Sequence, residues 1–291
     1  MINAIKDKLR ELNPHDFSLK ITIFFIIIHF QEIVDTDPLI FIPLIILSAV
    51  GILFNKALYS KLYWGAISAL YFTWLMLNWQ VIDNHMYLWG YWLMSIFLSL
   101  FSKLPKKTLA FSAQLLIGFC MLFASIQKLN PTFLSGDFFY YTLITDRRFF
   151  FIGPLIKFNM IEVISENIIT ISEMMSHSKN VILNPGPYIL HPISKFLTWY
   201  VIILESTLAI IFLIPRRFAY QWQHWLLFLF FSVYLLLPIR GFAFTLIAMG
   251  TTLIKKEDIG LKLGYIIFLL YMFAMSNIVI SLIFNFTYPI F

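Results

Sequence analysis

The chain has 291 residues, of which 60% are hydrophobic, 19% aromatic and only 12% charged, and its mean hydropathy is +0.83. A soluble fold of this composition would lack the polar residues needed to cover its surface, so we predict a polytopic helical membrane protein. The net charge of +6 comes from basic residues between apolar runs, which is typical of membrane topology signals, and we expect no nucleic-acid partner. Cys120 is the single cysteine, which excludes an intramolecular disulfide and a CxxC-type metal site.

Apolar runs follow one another along the chain, and each is a candidate membrane-spanning helix. The sequence therefore predicts an all-α fold, a polytopic transmembrane helical bundle of about nine spans that forms one integral membrane domain over residues 1–291. The tryptophans of these runs are expected at the membrane interface or facing lipid rather than in a cofactor stack; they include Trp64, Trp74, Trp79, Trp89 and Trp92. The predicted spans are residues 21–36, 38–54, 63–80, 86–101, 109–127, 196–214, 223–239, 241–254 and 264–286.

The charges between the runs orient this bundle. If the N-terminus lies inside, every short inner segment is basic, whereas the short outer loops hold Asp35, Asp37, Asp83 and later Arg240. This distribution follows the positive-inside rule and predicts an outer C-terminus. Because residues 1–20 show no signal-peptide pattern and the loops are compact, we expect a bacterial cytoplasmic membrane. The inner basic residues are Lys6, Lys8, Arg10, Lys56, Lys61, Lys103, Lys106, Lys107, Arg216, Arg217, Lys255, Lys256 and Lys262.

The same topology makes residues 128–195 one outer insertion between the fifth and sixth spans. Within it, residues 161–176 place isoleucines among acidic residues, which predicts an amphipathic or re-entrant helix at the membrane interface. The sequence Asn184-Pro185-Gly186-Pro187 predicts a turn.

The fourth and fifth runs, joined by the basic turn at 103–107, predict an antiparallel hairpin whose far ends lie close together. Counting from Pro105, His85 is 20 residues back and Lys128 is 23 residues on. At about 1.5 Å per residue, the two lie roughly 30 and 34 Å from the turn. We therefore expect the imidazole and the amine to share one rim of the membrane, facing outward, and we take them as the candidate catalytic residues.

Other polar residues within the spans are candidates for a proton relay or a pocket, because each is unfavourable in lipid unless paired or hydrated. Glu205 falls near the middle of the sixth run, and His29 and Glu32 lie within one turn of each other in the first. Asn84 and Tyr87 flank His85. No HxH or HExxH spacing links the histidines, so no metal site is predicted.

Structural roles account for the same residues equally well at this point. A lysine that ends a transmembrane helix often extends its amine to the interface, and a histidine there often forms a helix-end hydrogen bond. A glutamate within a span can be a neutral acid bonded to a neighbouring helix. The sequence leaves open whether Lys128, His85 and Glu205 act in these ways or in proton chemistry.

Two stretches of the hairpin resemble motifs of the vitamin K-dependent gamma-glutamyl carboxylases and the wider family of HTTM membrane proteins. The first resembles Asn-His-x-Tyr-Leu-x-Gly, and the second resembles Lys-Leu-Asp-x-x-Trp-x-x-Gly. In the second, Asn130 and Phe133 replace the acidic residue and the tryptophan of the family. The two stretches are Asp83-Asn84-His85-Met86-Tyr87-Leu88-Trp89-Gly90 and Lys128-Leu129-Asn130-Pro131-Thr132-Phe133-Leu134-Ser135-Gly136.

The resemblance implies that Lys128 is a catalytic base and that His85 supports it. In the carboxylase the lysine deprotonates reduced vitamin K, oxygen adds, and the strong base so formed prepares a glutamate for addition of carbon dioxide while the quinone leaves as an epoxide. The cofactors implied are therefore a reduced quinone (vitamin K or menaquinol), oxygen and, for carboxylation, carbon dioxide. An amine performs such a reaction only if its pKa falls several units below about 10.4, which burial at a hydrocarbon rim favours.

Two functions remain open from the sequence. The first is a quinol-oxidising, epoxidase-like membrane enzyme whose partners are membrane lipid and a lipid-soluble quinone. Peptide carboxylation is not expected, because the chain ends at Phe291, directly after the last run, where the carboxylases carry a large lumenal substrate domain. The second is a non-catalytic membrane subunit, small-molecule binder or peptide-export partner that acts with an unidentified protein.

Overall fold

The computed structural model describes residues 2–30, 37–80, 82–149, 152–177, 182–233 and 240–274, and its regular structure in these ranges is helical throughout. The all-α prediction is therefore confirmed for this part of the chain. Two short 3₁₀ helices span Asn55–Tyr59 and Arg147–Phe149. The α-helices are α1 (Ile2–Glu11), α2 (Pro14–Phe30), α3 (Pro38–Leu53), α4 (Lys61–Leu77), α5 (Asn84–Ser99), α6 (Pro105–Gln127), α7 (Pro131–Leu134), α8 (Asp137–Thr145), α9 (Ile152–Ile156), α10 (Met160–His177), α11 (Leu190–Leu213), α12 (Arg216–Phe231), α13 (Arg240–Thr252) and α14 (Ile259–Ala274).

The described parts of the predicted apolar runs fall in the helices α2 to α6 and α11 to α14. Residues 31–36, 234–239 and 275–286 of these runs lie outside the described residues. Two of them, α6 with 23 residues and α11 with 24, are long and apolar enough by length and composition to cross a membrane. The helices α3, α13 and α14 are apolar but shorter. The structure thus contains two helices of membrane-spanning length among the described residues.

The main core forms where α2, α5 and α13 pack together and where α6 packs on α11 and α5. Trp64, Trp74, Trp89 and Trp92 are buried in it, so the prediction that they face lipid or the interface is wrong. Trp79, by contrast, is 62% exposed. The indole nitrogen of buried Trp92 has a partner, because it donates to the hydroxyl of Thr22 at 2.9 Å. A buried tryptophan usually finds such a partner, and here the bond ties α5 to α2.

The insertion predicted at 128–195 forms a second apolar core against the first half of α11. The predicted amphipathic helix is present as α10 (Met160–His177). Asn167 on its buried face donates to the carbonyls of Ile144 and Asn184 at 3.0 and 2.9 Å. Gly186 adopts a positive φ of 65° in the predicted turn, a conformation that glycine adopts readily.

The predicted hairpin is also present, because α5 and α6 pack together across the turn at residues 100–104. Its geometry is set by Ser102, whose hydroxyl accepts from Thr108 at 2.7 Å, and by Pro105 at the first helical position of α6, which needs no amide hydrogen there. The start of α5 and the end of α6 consequently lie at the same end of the bundle.

Helix α11 runs antiparallel to α6 and extends past its end. Near the basic turn, Gln114 on α6 donates to the carbonyls of Phe212 and Ile214 at 2.8 and 3.0 Å. Further along the pair, the side chain of Lys128 reaches Glu205. Since α11 begins at Leu190, its first 15 residues continue for about 22 Å beyond that level. This projecting half of α11 carries the insertion and closes one side of the end of the bundle.

Candidate functional site

The best-defined polar contact inside the bundle joins Lys128 to Glu205. The amine nitrogen Nζ lies 2.9 Å from Oε1 and 2.7 Å from Oε2 of the carboxylate. The carboxylate side chain is only 6% exposed, whereas the lysine side chain is 22% exposed. A single charge of either sign would be costly at this site, and each of the two groups neutralises the other.

The chain around Lys128 is shaped by helix caps. Lys128 ends α6 with its amide bonded to the carbonyl of Ser125 at 3.1 Å. Two residues later Asn130 begins α7, its side-chain oxygen accepting from the amide of Phe133 at 3.0 Å and its nitrogen donating to Gln127 at 2.8 Å. This cap turns the chain back, and the ring of Phe133 lies 5.7 Å from the Lys128 Nζ.

Asn130 and Phe133 are the two positions at which the sequence departs from the motif that it resembles. An amide caps a helix about as well as a carboxylate, so Asn130 retains the turn without adding a second negative charge beside Glu205. The Phe133 ring is within the distance at which an aromatic face attracts a cation. Both replacements are therefore compatible with a charged lysine at this position.

The sequence places Lys128 at the end of one run and Glu205 near the middle of another, and so predicts different depths. In the structure the Lys128 side chain turns back along α6, where its amine also donates to the carbonyl of Ala124 at 3.3 Å, and in this way it reaches Glu205. The one signal in the sequence that could have found the pair is its chemistry, since these are opposite charges that both lie within or beside apolar runs.

The pair determines how the amine can react. Its three donor directions are used by the two oxygens of Glu205 and by the carbonyl of Ala124 at 3.3 Å. A lysine nitrogen that donates to oxygens in all three directions has the hydrogen-bonding pattern of an ammonium group. The amine can accept a proton only after it has given one up, and Glu205 is the acceptor in contact with it. Proton chemistry at this site would therefore use both residues as a unit.

His85 lies in the first turn of α5, at the same end of the hairpin, with its side chain 17% exposed. Its Nδ1 is 3.9 Å from a carboxylate oxygen of Asp83. The other side of the ring packs against the start of α13, where a Cβ on Gly241 would lie 2.6 Å from the imidazole. Among the described residues no hydrogen bond or ion pair joins His85 to Lys128, so the structure places the two candidates at one end without direct contact.

The remaining candidates are distributed around this end of the molecule. Asn84 is exposed at the start of α5, and the hydroxyl of Tyr87 donates to the carbonyl of Trp79 at 3.0 Å. Glu32 and the side chain of His29 lie outside the described residues. Of the predicted relay and pocket residues, Glu205 is the one that contacts Lys128.

Across the parts of the chain that the structure describes, no three His, Cys, Asp or Glu side chains come together as a metal site would require. Comparisons of the chain with protein-family models, with curated proteins and with solved structures find no match.

Proposed function

We propose that the chain is a nine-span integral membrane protein that oxidises a lipid-soluble quinol at the Lys128–Glu205 pair. The membrane assignment is supported by the outer faces of the helices, where large apolar side chains are exposed over most of the bundle. Soluble monomers rarely leave such extensive apolar surface in water. Examples are Ile42, Ile46, Leu62, Met76, Tyr91, Phe119, Phe123, Ile203, Ile210, Trp222, Trp225, Ile267 and Leu270.

In this proposal the N-terminus is inside, the C-terminus is outside, and the protein resides in a bacterial cytoplasmic membrane with Lys128 facing outward. The support is the distribution of basic loop residues, which follows the positive-inside rule. Lys56, Lys103 and Lys255 all lie in the connections assigned to the inner side.

The observation that carries the enzymatic part is the geometry of the ion pair. A lysine that is partly exposed at a helix end is held by both oxygens of a buried carboxylate. An isolated snorkelling lysine has no need of such a partner. A buried acid and a more exposed amine in direct contact form a route by which a proton can move from a bound ligand towards the interior.

The reduced quinone would approach the pair from the side of Lys128, because the lysine side chain is 22% exposed and that of Glu205 only 6%. Phe133, whose ring lies 5.7 Å from Nζ, is buried and stacked on Phe138, so it forms a wall beside the amine and not a stacking surface for the head group. When bound, the quinol would supply the electrons that reduce oxygen, so that quinol and O₂ give the quinone epoxide and water.

Within this scheme each residue has a distinct task. Glu205 takes the proton of the resting ammonium, which leaves the Lys128 amine free to accept the proton of a ligand hydroxyl. Phe133 and the first half of α11 exclude water from the pair, which strengthens its electrostatic interactions. His85, fixed by Gly241 and facing Asp83, is available to hydrogen-bond a head group at the same end of the hairpin.

The same ion pair also supports a second candidate function, in which the role of the pair is structural. The pair joins α6 to α11, helices that pack along much of their length, and His85 faces Asp83 rather than Lys128. These features suit a non-catalytic subunit, small-molecule binder or peptide-export partner, in which the pair holds two helices together.

The two functions are separated by a turnover assay on purified protein in lipid nanodiscs. Reduced menaquinone or vitamin K is supplied with oxygen, and the epoxide is measured by mass spectrometry. We expect epoxide from the native protein and none above background from Lys128→Ala, with His85→Ala lowering the yield. Lys195→Ala is the matched control, because this lysine is exposed at the start of α11 and has no ion pair among the described residues.

Unchanged epoxide formation by a folded Lys128→Ala protein would show that the lysine takes no part in the reaction. A folded, monodisperse native protein that converts neither quinol would favour the non-catalytic function, and a co-purifying protein would then identify the partner.

A further inference from the structure

A cavity of about 770 Å³ opens at the end of the bundle opposite to Lys128. It lies where the start of α6 meets the end of α11, the start of α12 and the end of α13. The lining residues come from these four helices and the connections next to them, and they are Lys106, Lys107, Ala110, Phe111, Gln114, Leu115, Leu213, Pro215, Arg216, Thr252, Ile254 and Lys255.

The cavity is strongly basic. Four of its lining residues are cationic, namely Lys106, Lys107, Arg216 and Lys255, and none is acidic. In the described part of the chain, none of the four forms an ion pair with a carboxylate. Nearby, Asp258 is hydrogen-bonded to the hydroxyl of Tyr220. The cavity therefore concentrates positive charge, and no carboxylate of the described residues lies within ion-pair distance of its four cations.

Two of these cations are held in place by groups other than acids. The Arg216 guanidinium donates to the carbonyl of Leu253 and lies 5.2 Å from the centre of the Tyr220 ring. The amine of Lys255 lies 4.4 Å from the same ring. Holding two cations on one aromatic ring keeps like charges close together, an arrangement that a bound anion would stabilise.

The remaining walls are arranged as a lipid molecule would require. Lys107, Phe111 and Leu115 are spaced by four residues, so they lie along one face of α6 with the charge at the helix start. The parallel row on α6 runs from Lys106 through Ala110 to Gln114. Each row thus passes from a cation to less polar groups within about two turns, or roughly 11 Å.

The helix starts add to the positive potential. Helix α6 begins at Pro105 and α12 begins at Arg216, and both first turns lie at this cavity. The free amide groups at a helix start attract a phosphate oxygen, as the four cationic side chains also do. Helix starts, side-chain cations and apolar walls consequently converge on one volume.

From these features we infer that the cavity binds the phosphate head group of an anionic phospholipid of the inner leaflet, with its acyl chains along Phe111 and Leu115. This inference rests on the membrane placement in the proposed function and not on the quinol chemistry. Basic cavities between transmembrane helices on the cytoplasmic side are suited to anionic head groups. The cavity lies at the end of α6 opposite to Lys128, so the two sites can be tested separately.

The test is native mass spectrometry of the purified protein in non-ionic detergent, titrated with phosphatidylglycerol and with phosphatidylcholine of the same chains. The variant Lys106→Gln/Lys107→Gln/Lys255→Gln removes three cations but leaves the Arg216 bond to Leu253 intact. The matched control Lys56→Gln/Lys103→Gln/Lys256→Gln removes the same charge from exposed residues outside the cavity. Helicity and size-exclusion profile establish that all three proteins are folded.

We expect the native protein and the control to prefer phosphatidylglycerol over phosphatidylcholine by more than about tenfold, and the cavity variant to lose that preference. Equal binding of phosphatidylglycerol by the cavity variant and the control would show that the cavity is not the lipid-binding site. If millimolar inorganic phosphate displaced bound phosphatidylglycerol as effectively as added phosphatidylglycerol does, the ligand would be a soluble phosphate and the lipid assignment would be wrong. Quinol turnover is measured on the same variants, so failure of this inference is distinct from failure of the proposed function.

Discussion

Lys128 and Glu205 are 77 positions apart in the chain, and yet the amine of one contacts both carboxylate oxygens of the other, at 2.9 and 2.7 Å. The contact depends on two backbone features. Asn130 caps α7 directly after Lys128, and the antiparallel register of α6 and α11, fixed by Gln114, places Glu205 within reach of the amine. The pair therefore depends on helix register as much as on side-chain chemistry.

The first prediction concerns the strength of this pair. Lys128→Met should lower the free energy of unfolding by about 2 kcal/mol or more, because it leaves the buried Glu205 carboxylate without its partner. Glu205→Gln should cost less, because the lysine that it leaves unpaired is partly exposed. The double variant should be less destabilised than the sum of the single variants, by about 1–3 kcal/mol. Thermal unfolding in detergent measures all four proteins. Strictly additive effects would mean that the two side chains do not interact in the folded protein.

A second prediction concerns the cap that follows Lys128. Asn130→Ala removes the acceptor for the amide of Phe133 and should destabilise the protein by about 1 kcal/mol. Asn130→Asp keeps that acceptor and should remain close to the native stability. The same thermal unfolding assay compares them. If the aspartate variant is as destabilised as the alanine variant, the side chain at this position does not act as a helix cap.

The packing of His85 provides a third prediction. In Gly241→Ala the added methyl group would lie 2.6 Å from the imidazole, so the ring must move, and overpacking of this kind costs about 1–3 kcal/mol. Gly260→Ala is the matched control, because a Cβ there meets nothing within 4 Å. Unfolding temperature and the imidazole NMR signals of His85 are the measurements. Identical behaviour of the two variants would show that His85 does not pack on α13.

The orientation in the membrane is the subject of a fourth prediction. In a Cys120→Ser background, a cysteine at Tyr188, in the insertion, should react with an impermeant maleimide in intact cells. A cysteine at Lys103, in the hairpin turn, should react only after the membrane is permeabilised. Both parent side chains are exposed. The reverse pattern would invert the topology and move Lys128 to the inner side.

The helices were predictable because each apolar run is long and is bounded by charge or proline. Pro105 marks the start of α6, and the isoleucines among acids at 161–176 mark α10. The hairpin followed from the basic turn, and with it the placement of His85 and Lys128 at one end. These features are local, and a local pattern is sufficient to specify them.

The contacts between helices were not predictable in the same way. A run of apolar residues shows that a helix is buried in lipid or protein, but not which face meets which neighbour, so the burial of Trp92 against Thr22 was missed. The contact between Glu205 and Lys128 depends on the register of α11 against α6, which Gln114 fixes through the carbonyls of Phe212 and Ile214. No local pattern in either apolar run specifies this register.

The central claim is that the Lys128–Glu205 pair moves protons rather than only joining two helices. The most direct measurement is quinol turnover by the exchanged variant Lys128→Glu/Glu205→Lys, which keeps an ion pair between α6 and α11 but moves the amine to the buried position. Our account predicts an unfolding temperature near that of the native protein together with epoxide formation below about 1% of the native rate. Native turnover by this variant, or absence of turnover in the folded native protein, would contradict it.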